Sequence, residues 1–159
     1  MASSIFARIG TIQGESRDAR HKDEIEVLSW AWGMSQSGGL GRGGGGAGKV
    51  SFDMFTFTHH LDKASPSLMK ACATGVHLKD ATITVRKAGR GQQEYLVITM
   101  ADVLVMTVST AVTAEGDATV ESVGLSFGKV DLEYKPQKPD GSLDAGVHFT
   151  YDLKTHKEG

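Results

Sequence analysis

One cysteine in 159 residues excludes an internal disulfide and a cysteine-built zinc site. Cys72 therefore fits a chain made in a reducing compartment. Basic runs longer than a pair are missing and the formal net charge is only -2, so nothing draws the chain to nucleic acid or an anionic membrane. So weak a charge also permits self-association. The longest apolar stretch, Val103 to Val108, is too short to span a bilayer. The opening MASSIFARIG lacks a basic start followed by an apolar run, so no signal peptide is expected and synthesis is expected in the cytoplasm. What remains is ordinary: 40% hydrophobic and 23% charged residues, at a length that suits one domain over residues 1–159.

The dominant periodicity is two, the mark of strands with opposite faces. Strands are expected over Ile5–Ile9, Ile25–Gly33, Lys49–Thr58, Thr82–Arg86, Glu94–Met100, Val103–Thr110, Val120–Phe127, Lys129–Tyr134 and Val147–Leu153. In the second of these, Leu28, Trp30 and Trp32 share one face, and Val27, Ser29 and Ala31 the other. In the strand from Lys129, Val130, Leu132 and Tyr134 are expected inward. Gly91, Glu115-Gly116-Asp117 and Asp140-Gly141 mark turns. One helix is expected over Ser65–Gly75, with Ser65 as its cap, proline opening it, glycine ending it, and Leu68, Met69, Cys72 and Ala73 on one side. The fold class is mainly β, an antiparallel two-sheet barrel or sandwich with one short flanking α-helix. The polar tail Thr155–Gly159 is expected to fray.

Several motifs imitate chemistry. Gly43 to Lys49 has phosphate-loop spacing, but Val50 replaces the hydroxyl residue and a strand follows instead of a helix. Gly124-Leu125-Ser126-Phe127-Gly128 imitates a hydrolase elbow, with Asp144 and His148 in chain order, yet strand follows strand. His59 and His60 are adjacent and face opposite ways, so they do not readily share a metal, and the histidines read as surface residues. Cys72, near His77, reads as a buried thiol. Trp30 and Trp32 either fill the core or form a sugar platform. Neither a catalytic residue, a metal ligand nor a cofactor is assigned. A monomeric carbohydrate-binding β module is the alternative to the reading below, with a small hydrolase using Ser126 behind it.

The segment Gly38, Gly39, Leu40, Gly41, Arg42, Gly43, Gly44, Gly45, Gly46, Ala47 and Gly48 is long and nearly devoid of apolar side chains. Such a loop is functional or disordered, and glycine lets a backbone lie flat against another surface. With it, Ile9-Gly10, Gly14-Glu15-Ser16 with His21, the run from Val27 through Trp30, Ala31 and Trp32 to Gly38, Gly46–Val50, Leu68–Gly75, Arg86–Ala88 and Tyr134–Lys138 together resemble Hcp, the haemolysin-coregulated family of bacterial type VI secretion. The likeness spans nearly the whole chain in order.

That resemblance implies a two-sheet β barrel flanked by a helix, assembled as a homohexameric ring with a wide channel. Rings stack into a tube inside a contractile sheath, topped by a VgrG spike. Small effector proteins ride in the channel, and export uses this machine instead of a signal peptide. By position, the glycine loop takes the ring-stacking role. If Trp30 and Trp32 fill the core, Ser29 and Ala31 face away from it, and the family places this strand along the channel wall.

Overall fold

Two long antiparallel strands organise the chain. The computed structural model describes residues 4–39, 48–89, 91–112, 114–115 and 119–158. Glu94–Ala111 and Val120–Tyr134, β8 and β9 in chain order, pair along almost their full lengths. Each joins two strands expected separately. Before them come β1 (Ser4–Ile9), β2 (Ile25–Val27), β3 (Ser29–Ala31), β4 (Met34–Gln36), β5 (Val50–Phe52), β6 (Phe55–His60), α1 (Ala64–Thr74) and β7 (Leu78–Arg86). After them come β10 (Val147–Asp152) and β11 (Lys157–Glu158).

On one side of the hairpin the order runs β8-β7-β1-β2. On the other, β9 divides its edge: its first half pairs with β6, which pairs with β3, and its second half pairs with β10. Only Leu28 separates β2 from β3, and its amide N–H donates to Thr58 O at 2.8 Å. The sheet thereby closes on itself, which removes most of its edges. β4 and β5 form a separate two-stranded arm.

The expected single strand over Ile25–Gly33 is a corner. Val27 is buried with Ile25, whereas Leu28 is exposed, so Val27 does not share a face with Ser29 and Ala31. Lys49–Thr58 breaks likewise: β5 ends at Phe52, Met54 is exposed, and alternation restarts with buried Phe55 and Phe57. A third flip sits at Asp102, whose left-handed backbone (φ 53°) lies opposite Gly128; Met100 and Val103 both point inward across it. Strands that change sheets turn corners through such irregularities.

The helix also starts differently. Lys63 occupies the cap position, Asp62 Oδ1 accepts the Ala64 N–H at 2.8 Å, and Ser65 is buried at the second helical position, its hydroxyl accepting the Asp62 N–H. Gly75 ends it in the left-handed conformation, as expected. Ala64, Ser65, Leu68 and Ala71 bury against the barrel, while Met69 and Ala73 are exposed. Cys72 is only half-buried; its thiol donates to the carbonyl of Met106 at 3.6 Å. Met106 is the extra residue of a bulge in β8, so this contact serves a carbonyl that the ladder leaves over.

Val130 is buried as expected, but Tyr134 is 45% exposed at the end of β9. The tail does not simply fray: Lys157 and Glu158 pair with Asp152 and Tyr151. Gly116 and Asp117 of the expected turn lie outside the described residues, as does Gly159.

Candidate functional site: an uncharged sheet face

The pairings of β3, β6, β9 and β8 set their outward side chains in rows. Ser29, Thr58, Ser122 and Ser109 are successive cross-strand partners. Ala31, Thr56, Gly124 and Thr107 form the next row. Each residue is small, and all but Ala31 and Gly124 carry hydroxyls. Ser29 Oγ and Thr58 Oγ1 lie 2.6 Å apart and hydrogen-bond directly. A third row, His60, Val120 and Ala111, closes the face and contains its one ionisable side chain. Ser29 and Ala31 are both exposed here, on the side opposite Trp30. The residues that complete the face, Thr56, Thr58, Thr107, Ser109 and Ser122, went unrecognised in the sequence because only strand register brings them together.

The inward rows explain why this face is flat. Trp30, Phe57, Val123 and Val108 form one row; Phe55, Leu125 and Val105 form another. Trp30 stacks on Phe55 at 5.4 Å, and Trp32 stacks on Phe52 at 5.9 Å and meets the edge of Phe127 at 5.8 Å. Both tryptophans are thus packed against the core and offer no joint exposed platform. At Gly124 a Cβ would collide with the Thr107 hydroxyl, so glycine permits the close approach of β8 at its bulge. Ser126 lies mid-strand in β9, away from any strand-to-helix turn.

The third inward row is polar. His59, Glu121 and Thr110 are cross-strand partners; His59 Nε2 lies 2.9 Å from Glu121 Oε1, and the Thr110 hydroxyl donates to Glu121 Oε2 at 2.8 Å. His59 and Glu121 are fully buried. Asp62, 3.8 Å from His59 Nδ1, has its carboxyl pushed up by burial, with Glu15 and Glu121 adding to the effect and the Ala64 N–H opposing it. The surface assignment of the histidines therefore fails for His59, and also for His21, which is 7% exposed. The missed signal was parity: His59 continues the Phe55, Phe57 series, and Glu121 the Val123, Leu125 series.

The rest of the barrel wears a different coat. Outward on β1, β7, β9 and β10 stand Arg8, Asp80, Lys129, Asp131, Glu133, His148 and Asp152. Arg8 pairs with Asp80 at 3.2 Å. His148 lies between Asp131 (3.0 Å) and Glu133 (3.1 Å), and its bond to Asp131 raises the imidazole above the ordinary histidine value. Among the described residues no grouping of three or more His, Cys, Asp or Glu has metal-binding geometry, and no helix is long and apolar enough to cross a membrane.

The glycine loop leaves from the arm. β4 and β5 pair from Met34↔Phe52 to Gln36↔Val50, and Ser37 and Lys49 then bond through both backbone and hydroxyl. Gly38, Gly39 and Gly48 are described; Leu40 through Ala47 lie outside the described residues. Lys49 leads directly into strand β5, so the phosphate-loop spacing lacks its helix.

Residues 6–134 match the family described as "Type VI secretion system effector, Hcp". The chain is 50% identical over 157 residues to protein hcp1 of Pseudomonas aeruginosa, covering 97% of each. It is similar to the crystal structure of Hcp1 from Salmonella typhimurium, with a TM-score of 0.81, 39% identity and full coverage of both chains. It is also similar to a type VI secretion system effector from Yersinia pestis, with a TM-score of 0.77, 35% identity, and 93% and 98% of the two chains covered.

Proposed function

The chain belongs to the Hcp family of type VI secretion proteins, and on that footing we propose that it is the subunit of a homohexameric ring that stacks into the expelled inner tube. One observation carries the reading: half of the barrel presents a face of small hydroxylated side chains with a single ionisable group, and this face suits a channel wall. Passengers of varied sequence meet there little charge to desolvate and, beside the Met54 thioether that lies against Gly124, mostly small side chains. Ser29 and Ala31 line the channel in this reading, and effector proteins ride against them. The role is structural and carrying, not enzymatic. Its other partners are the VgrG spike and the contractile sheath. The protein is made in the cytoplasm and leaves through the type VI machine.

The docking role proposed for Gly38 to Gly48 is supported by the ribbon that carries the segment, since β4 and β5 pair with each other and not with the main sheet. Deleting residues 41–46 is expected to leave rings intact but to abolish tubes and secretion; tubes that persist would remove the loop from stacking. The ring itself is tested by light scattering on a sizing column. Six copies of a 16.9 kDa chain give about 101 kDa. A peak there supports the ring, and a monomer at every concentration overturns it.

A further inference from the structure

Alternation places Phe6, Thr84 and Arg86 on the outer face of β1 and β7, yet all three are buried. The loop of residues 10–24 covers them. It is closed on itself by Gly14 N–H to Asp23 O at 2.7 Å and Ser16 N–H to Glu24 O at 3.0 Å. Two side chains tie it to the barrel. Asp18 accepts from Arg86 at 2.6 Å, and His21, stacked on the Phe6 ring at 4.4 Å, lies 2.8 Å from Glu24 Oε2 and 2.7 Å from Glu94 Oε1. Arg86 also sits over Phe6, 4.9 Å from its centroid.

The two contacts of His21 impose a proton count. An ionised carboxylate only accepts hydrogen bonds, so both ring nitrogens must carry a hydrogen to satisfy both. A neutral imidazole carries one. Its second nitrogen would then set a lone pair against a carboxylate oxygen at hydrogen-bond distance in a part-buried site, which is repulsive. The groups facing His21 are Phe6 from β1, Glu94 from β8, Arg86 from β7 across Phe6, and Asp18 and Glu24 from its own loop. The hydrogen bond from Arg86 holds the Asp18 carboxyl well below the usual carboxylate range, so that second tie stays ionised throughout the range in which histidines titrate.

We propose that His21 is a proton-operated clasp: doubly protonated, it pins the loop through Glu24 and Glu94, and loss of one proton frees the His21 end while the Asp18–Arg86 tie stays closed. Release exposes the Phe6 ring and mobilises the basic side chains of Arg20 and Lys22. The outer surface of the barrel thereby becomes pH-responsive on the side away from the hydroxyl face.

Amide hydrogen exchange of the full chain, followed by mass spectrometry between about pH 5.5 and 8.5 and corrected for intrinsic exchange rates, tests the clasp. Protection of residues 19–25 should fall at least about fivefold as pH rises, while β7 and β8 keep theirs. Glu94→Gln is the decisive variant, because its amide N–H can donate to the lone pair of a neutral imidazole. It should keep the loop protected at high pH and flatten the profile. Protection independent of pH in the native chain, or a Glu94→Gln profile that falls like the native one, overturns the proposal.

Discussion

β8 and β9 build both halves of the barrel, yet the halves present opposite outer surfaces. From Val103 and Phe127 toward the hairpin tip, outward positions include Leu104, Ser126, Thr107, Gly124, Ser109 and Ser122; toward the other end they include Thr99, Ala101, Lys129, Asp131 and Glu133. Apart from the polar row of Glu121 and Thr110 near the hairpin tip, the inward side chains hardly differ: Val105, Val123 and Leu125 in one half, Ile98, Met100 and Val130 in the other. Core packing therefore does not demand the contrast. The charged half keeps its ions in water and paired, which favours solubility and steering at an exposed surface. The hydroxyl half can be covered by another molecule without the cost of desolvating ions. On the proposed function, the first half faces out of the tube and the second faces into it.

The sharpest break in the contrast lies inside the uncharged half, where Glu121 is fully buried. Glu121→Leu strands the His59 ring N–H and the Thr110 hydroxyl without their acceptor. It should destabilise the fold by about 3 kcal/mol, read by urea unfolding. Adding His59→Leu should restore at least about half of that loss, because replacing both members of a buried pair with apolar groups is far cheaper than removing one. A single variant as stable as the native protein would mean that the polar row contributes nothing to closing the barrel end.

Gly124 offers a smaller test. Gly124→Val drives a Cβ into the Thr107 hydroxyl and should cost about 2 kcal/mol in the same assay. Thr107→Ala in that background should recover about 1 kcal/mol. No recovery would place the clash elsewhere.

Surface charge should separate the halves without touching stability. Ala31→Arg and Thr99→Arg are both exposed substitutions and should each leave stability within about 0.5 kcal/mol. Effector co-purification should be lost for Ala31→Arg and kept for Thr99→Arg, with rings intact in both. Cargo held normally by Ala31→Arg removes this face from the channel.

How much of this was legible depends on the range of the interaction. Alternation identified the strands and the β class, and Ser65–Gly75 revealed the helix, because both are local patterns. A break between Met100 and Val103 was legible, but the parity flips at Leu28 and Asp53 were not. Each is a corner whose cause is a partner strand far away in sequence, and Val27 was assigned to the wrong face as a result. The hydroxyl face shows the same division. Ser29 and Ala31 could be placed opposite the tryptophans from one strand alone, whereas Thr58, Ser122 and Ser109 join them only through register.

The smallest expected effect belongs to His148 on the charged half. Asp131, then Glu133, favour its protonated form, so its value in the folded chain is raised. A raised histidine contributes stability that is fully present below its unfolded value, about 6.5, and is lost as pH rises through the folded one. His148→Gln should therefore lower the melting midpoint slightly at pH 6 or below, and the gap should close as the solution becomes alkaline. Added salt should shrink the gap too, since all three side chains are solvent-accessible. A gap that widened with pH would mean that the imidazole stabilises β10 through packing or a neutral hydrogen bond, and the charged coat would then be solubilising without being structural.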